Sequence, residues 1–128
     1  MLLDTSFLVA YYDKRDQNHP AAVRLVGELE TGKFGRLIIS EYVFDELMTI
    51  LKKFVGKAKA AEKGRDILNS LDFLQADSKV FQLGWELFKK SEGLSFTDCY
   101  LVAAMKHYNI EYLATFDSGF HGIVKVLR

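Results

Sequence analysis

Cysteine and proline are nearly absent from this chain of 128 residues, which has one of each, Cys99 and Pro20. One thiol forms no internal disulfide, and it excludes zinc sites built from cysteine clusters. No tract rich in proline, glycine or serine is typical of a linker. We therefore expect a single domain over residues 1–128 in a reducing compartment, with the cytoplasm as the default location.

A long hydrophobic run is also missing at the start of the chain. The first apolar residues, 1–3, are followed at once by Asp4, and no basic residue precedes them. This pattern is typical neither of a signal peptide nor of a membrane-spanning helix. We expect no membrane partner.

Charge of one sign does not dominate, because 17 basic residues balance 17 acidic ones. The overall charge therefore does not indicate a nucleic-acid-binding protein. The distribution is uneven, since residues 52–65 hold six basic side chains and one acidic one. This run is either a solvated helix surface or a set of phosphate contacts to a nucleic acid. The candidate RNA-binding residues are Lys52, Lys53, Lys57, Lys59, Lys63 and Arg65.

What the chain does have is a regular alternation of two patterns. Short apolar runs at residues 1–3, 36–39, 71–74, 111–115 and 123–127 alternate with segments of helical periodicity. The predicted helices cover residues 7–12, 20–30, 41–54, 57–69, 78–91 and 96–108. Because parallel strands need crossover connections, this order predicts an α/β domain with a mainly parallel sheet and helices on both faces.

Acidic residues stand where such a sheet binds ligands, at the carboxyl ends of its strands. Asp4 follows the first predicted strand, and Asp117 follows the run at 111–115. In the helix at 41–54, Glu46 falls near the edge of the apolar stripe, whereas Asp45 falls opposite its centre. Glu46 either turns out to water or lies in a crevice where it is solvated, paired or bound to a metal. The stripe consists of Val43, Phe44, Leu47, Met48, Ile50, Leu51 and Phe54.

Asp98 is the fourth candidate. Ser95 is a predicted N-cap, and an acid three residues later is able to bond back to the cap's own N–H group. Capping would explain Asp98 by itself, but it is compatible with a place at the same end of the domain. If four carboxylates converge, repulsion of about 3 kcal/mol for a pair roughly 6 Å apart must be offset. Mg²⁺ or Mn²⁺ does this directly and supports phosphodiester hydrolysis.

Three segments together resemble one family. In this order, LLDTSFLVAYY, ISEYVFDEL and LSFTDCYLVAAMKHYNIEYLATFDSGF are similar to the PIN-domain nucleases, especially the toxin ribonucleases of bacterial and archaeal toxin–antitoxin pairs. The resemblance spans nearly the whole chain. It implies a three-layer α/β/α domain that binds Mg²⁺ or Mn²⁺ and cuts RNA as an endonuclease. It also implies a homodimer and a small antitoxin that blocks the site.

Residue by residue, the resemblance implies that the metal-binding acids are Asp4, Glu46, Asp98 and Asp117. The hydroxyl that supports the first acid falls on Thr5 or Ser6, and the threonine before the last acid falls on Thr115. Many members carry a further acid where this chain has Gly119, which makes a second metal less expected. Cys99 replaces a small residue in packing and leaves the ligands unchanged.

Two alternatives stay open at this point. One is a PIN-like scaffold that binds RNA or protein without cutting it. The other is a phosphatase or phosphotransfer domain with Asp4 as the covalent nucleophile. The second fits less well, because haloacid-dehalogenase-like phosphatases place another aspartate where this chain has Ser6.

Overall fold

The computed structural model describes residues 1–75 and 77–128, and within them five strands and six α-helices alternate. Each predicted strand and helix is present, with ends within two residues of the expected ones. In chain order they are β1 (Leu2–Leu3), α1 (Thr5–Tyr12), α2 (His19–Leu29), β2 (Ile38–Ser40), α3 (Glu41–Val55), α4 (Lys57–Ser70), β3 (Asp72–Leu74), α5 (Ser78–Lys90), α6 (Phe96–His107), β4 (Tyr112–Ala114) and β5 (Lys125–Leu127). A single 3₁₀ turn, Ser118–Phe120, follows β4.

The strands form one parallel sheet in the order β3-β2-β1-β4-β5. The chain moves outward from β1 through β2 to β3, and it then returns across the sheet to β4 on the other side of β1. The point between β1 and β4 is therefore a topological switch point, where α/β sheets bind ligands at the carboxyl ends of their strands.

The helices fall into two packed groups. Helix α1 packs on α2 and α3, and α3 packs on α4, whereas α5 packs on α6. The two groups belong to crossovers that run in opposite directions along the sheet, and right-handed crossovers then place them on opposite faces. The predicted three-layer α/β/α architecture is confirmed.

The core lies where the sheet is covered on both faces. Both residues of β1 are buried, as expected for a central parallel strand. Helix α6 is buried without interruption from Cys99 to Met105, and a helix that is apolar all round is typical of a domain interior. Across residues 1–75 and 77–128, no helix has the length and hydropathy needed to cross a membrane.

Helix α3 departs from its predicted apolar stripe at one end. Val43, Leu47 and Leu51 are buried as predicted, but Phe54 is 55% exposed. The reason is length: 15 helical residues extend about 22 Å, whereas the three residues of β2 extend about 10 Å. The last turn of α3 therefore projects beyond the sheet that would have covered it.

Candidate active site

Asp4 is the buried centre of the site, with 5% of its surface exposed. Its position follows from the sheet, because Leu3 pairs with Ala114 and the next residues, Asp4 and Thr115, are thus neighbours. The Asp4 N–H donates to the Ala114 carbonyl at 3.0 Å. The Thr115 hydroxyl donates to Asp4 Oδ2 at 2.6 Å, and the Ser6 hydroxyl donates to the same oxygen at 2.9 Å.

The two hydroxyls also connect the start of α1 to the segment after β4. Ser6 Oγ and Thr115 Oγ1 lie 3.0 Å apart. Ser6 Oγ accepts from the Phe116 N–H, and Thr115 Oγ1 accepts from the Asp117 N–H, both at 3.0 Å. Of the two hydroxyl candidates, Ser6 is the one that bonds Asp4. The network holds Asp4 in one orientation.

Thr5 holds a different acid. Its hydroxyl donates to Glu46 Oε1 at 3.2 Å and joins the start of α1 to the second turn of α3. The side chain of Ser40, at the end of β2, caps α3 by accepting from the Val43 N–H at 3.1 Å. Glu46 is solvent-accessible at the edge of the apolar stripe, and it turns toward α1.

Asp98 performs the local role predicted for it and also belongs to the site. Ser95 Oγ accepts from the Asp98 N–H, and Asp98 Oδ2 accepts from the Ser95 N–H, both at 3.1 Å, which is a capping box. Partial burial raises the pKa of Asp98, and the charges of Asp4 and Asp117 raise it further, while the bonds from Ser95 oppose the shift. The capping role is therefore confirmed, and the role of Asp98 as a metal ligand stays a prediction.

Asp117 is exposed and caps the 3₁₀ turn, because its Oδ1 accepts from the Gly119 N–H at 2.8 Å. A Cβ atom on Gly119 would lie 3.2 Å from that same oxygen. The residue at 119 therefore supports Asp117 with its backbone and adds no acid of its own.

The four acids interact electrostatically. Burial raises the pKa of Asp4, and the charge of Asp117 adds to the shift, against the bonds from Thr115 and Ser6. Burial raises the pKa of Glu46 as well, with Asp4 and Asp98 contributing. Raised pKa values from burial and like charge together are typical of functional sites.

The donor set fits a hard divalent cation, since all four side chains offer carboxylate oxygens and Asp4 is rigidly held. Within the described ranges 1–75 and 77–128, however, no three Asp, Glu, His or Cys side chains are arranged to hold one ion. The predicted acids come together at one edge of the sheet without forming a closed cage. Such an open arrangement suits Mg²⁺, which commonly takes one or two carboxylates and keeps several waters.

The predicted basic run divides between two helices. Lys52 and Lys53 lie in the last turn of α3, and the others lie on α4. Of the six, Lys59 and Lys63 line a groove of about 750 Å³, together with Lys14 and Arg15. Sequence reasoning missed Lys14 and Arg15, because they belong to the loop after α1 and lie far from the run along the chain. Lys52, Lys53, Lys57 and Arg65 are not part of the groove lining.

Comparison with known proteins agrees with the fold. A VapC ribonuclease of Archaeoglobus fulgidus is 28% identical over 122 residues, which cover 93% of this chain and 78% of the relative. The solved structure of Mycobacterium tuberculosis VapC20, a sarcin-ricin-loop-cleaving toxin, superimposes with a TM-score of 0.80 at 25% identity, covering 93% of this chain and 91% of that one. A toxin–antitoxin complex from Klebsiella pneumoniae has the same fold, with a TM-score of 0.74, 21% identity and coverage of 99% and 95%.

The family model of the PIN domain matches residues 1–126. This range includes β1 through the middle of β5 and every one of the four acids. The chain belongs to the PIN domain family.

Proposed function

We propose that this chain is an endoribonuclease that hydrolyses RNA phosphodiester bonds with Mg²⁺ or Mn²⁺, and that it is the toxin of a toxin–antitoxin pair. The observation that carries the proposal is the buried Asp4, which Ser6 and Thr115 fix at the switch point and which interacts electrostatically with three further acids. Relatives named as a VapC ribonuclease and as a sarcin-ricin-loop-cleaving toxin support it.

Each site residue has a role in this proposal. Asp4 is the rigid metal ligand, and Glu46, Asp98 and Asp117 bind the ion directly or through its waters. Ser6 and Thr115 orient Asp4, as their hydrogen bonds to Oδ2 support. When bound, the ion supplies the Lewis acidity that activates water and offsets the phosphate charge. Residues 1–128 act as a single domain.

The basic run contributes phosphate contacts at some distance from the acids. Lys52, Lys53, Lys57, Lys59, Lys63 and Arg65 are the proposed residues. The groove that Lys59 and Lys63 line with Lys14 and Arg15 supports these two most directly. On single-stranded RNA, each lost phosphate contact should reduce the salt slope of binding by about 0.7 units.

Two protein partners belong to the proposal. One is a cognate antitoxin, supported by the toxin–antitoxin complexes among the structural neighbours. The other is a second copy of the chain, supported by a row of exposed aromatic side chains on α5, namely Phe81, Trp85 and Phe88. The proposed location is the cytoplasm.

A chelator experiment tests the activity. Purified protein should cleave single-stranded or loop RNA with Mg²⁺ or Mn²⁺ and stop cleaving in EDTA. Glu46→Gln should abolish cleavage, because Glu46 is the α3 acid that the Thr5 hydroxyl holds in the site. The neighbouring Asp45→Asn is the control and should leave cleavage unchanged. Equal cleavage with and without EDTA would contradict the proposal. Magnesium binding by calorimetry separates a nuclease from a scaffold, and an acyl phosphate trapped on Asp4 would indicate phosphotransfer.

A further inference from the structure

The seam between α1 and α3 connects the acidic site to the basic groove. At one end, the Thr5 hydroxyl donates to Glu46. At the other end, the Arg15 guanidinium lies 5.3 Å from the centre of the Phe54 ring. Both helices begin at the carboxyl edge of the sheet. From Glu46 to Phe54 the axis of α3 advances about 12 Å, so the groove lies about that far from the acids.

Basic residues outnumber acidic ones among the charged residues of the groove. Its walls are the last residues of α1, the loop that follows, the first turns of α2, the last turn of α3 and one face of α4. Lys14, Arg15, Lys59 and Lys63 line it, against two acids, Asp13 and Glu62. Asp13 already pairs with Arg15 at 3.0 Å. The lysines therefore leave an excess of positive charge in the groove.

Phe54 adds an aromatic surface to this charge. The ring is 55% exposed in the last turn of α3, and the Arg15 side chain over it is 71% exposed. An accessible aromatic ring with a guanidinium beside it, flanked by lysines, has the composition of a site for single-stranded nucleic acid. Bases stack on the ring and the guanidinium plane, while the ammonium groups contact phosphates.

We propose that this groove is a second RNA-binding subsite, which takes one unstacked base on the Phe54 and Arg15 pair and the adjoining phosphates on Lys14, Lys59 and Lys63. This inference rests on the proposed ribonuclease function. RNA fits better than a protein segment because charge and stacking surface occur together. The substrate is then a single strand that follows the α1–α3 seam from the acids to the groove, and long strands bind more tightly than short ones.

The test measures binding in EDTA, where the strand stays intact, with random-sequence pools of tetranucleotide and dodecanucleotide RNA. Phe54→Leu removes the aromatic face and should weaken dodecanucleotide binding about fivefold or more. Phe54→Trp should restore it. Lys59→Gln with Lys63→Gln should reduce the salt slope by about 1.4 units. All these side chains lie at the surface of the groove, so melting temperatures should stay near that of the parent.

Tyr108→Leu and Lys106→Gln are matched controls, because both residues are exposed at the end of α6, away from the groove. Neither should change binding. Unchanged dodecanucleotide affinity in Phe54→Leu would overturn the subsite. So would a Phe54→Leu variant that loses only the binding of a protein partner. If the parent cuts no RNA with either metal, the ribonuclease proposal fails, and the EDTA binding data still decide whether the groove binds RNA.

Discussion

Thr115→Val is the sharpest perturbation of the site, because it removes one hydroxyl and keeps the shape of the side chain. The lost bond is the 2.6 Å contact to Asp4, whose surface is 5% exposed. A hydrogen bond to a charged group contributes about 1.5 to 3 kcal/mol. We expect the free energy of unfolding of the metal-free protein to fall by about this amount.

Part of that loss belongs to another bond, since Thr115 Oγ1 also accepts from the Asp117 N–H. A double-mutant cycle with Asp4→Asn isolates the charged contact. Urea unfolding in EDTA at neutral pH is the assay, and a 2 kcal/mol loss moves the midpoint by about 1 M at a typical slope. Thr49→Val is the control, because the Thr49 hydroxyl bonds a backbone carbonyl on an exposed helix face and should change stability by about 0.5 kcal/mol or less.

The pH dependence gives a second readout. The pKa of Asp4 is already raised by burial, and the Thr115 bond opposes that shift. Its loss raises the pKa further, so the contribution of Asp4 to stability is largest where Asp4 is protonated and is lost as the pH rises through the folded pKa. The gap between parent and variant should be small in acid and should widen toward neutral pH. An equal loss in the Asp4→Asn background, or a gap independent of pH, would refute the charged contact.

Three further predictions concern other contacts. Asp98→Asn should raise the melting temperature in EDTA, because it relieves repulsion from the neighbouring acids, and it should reduce the further rise in melting temperature that Mg²⁺ causes. Ser95→Ala should instead lower the free energy of unfolding by about 1 kcal/mol, because α6 loses its N-cap. Thr5→Val should weaken Mg²⁺ binding, measured by calorimetry, because Glu46 loses its hydrogen bond from Thr5. Thr5→Ser should restore the binding. Gly84→Ala should cost about 1 to 3 kcal/mol in urea unfolding, because its Cβ would lie 3.1 Å from a backbone atom of α6, whereas Gly27→Ala, with nothing within 4 Å, should gain about 0.5 to 1 kcal/mol.

The fold and the place of the acids were predictable because they depend on local patterns. Alternating apolar runs and helical periods specified a parallel sheet, and Asp4 stands directly after its first strand. The turn of α3 placed Glu46 beside the crevice, and the spacing from Ser95 to Asp98 specified the capping box. Each of these inferences needs only a few neighbouring residues.

The remaining features depend on contacts between distant parts of the chain. Thr5 and Ser6 are adjacent hydroxyls, and contacts with distant residues distinguish them: Thr5 donates to Glu46, whereas Ser6 also accepts from the Phe116 N–H. The exposure of Phe54 depends on how far α3 extends beyond a three-residue strand. The basic groove combines a loop after α1 with a face of α4. No local pattern contains this information.

The acids of the site are anchored before any ion arrives. Hydrogen bonds fix Asp4 at Oδ2, Glu46 at Oε1, Asp98 at Oδ2 and Asp117 at Oδ1. Anchoring removes rotamer freedom that a loose cluster would lose on binding, so the proposed metal ion would bind at a smaller entropic cost. Burial, and to a smaller extent repulsion between the like charges, raises three of their pKa values against these hydrogen bonds, which destabilises the metal-free protein at neutral pH. The buried packing of β1 and α6 must offset that repulsion, and the proposed divalent cation would relieve it.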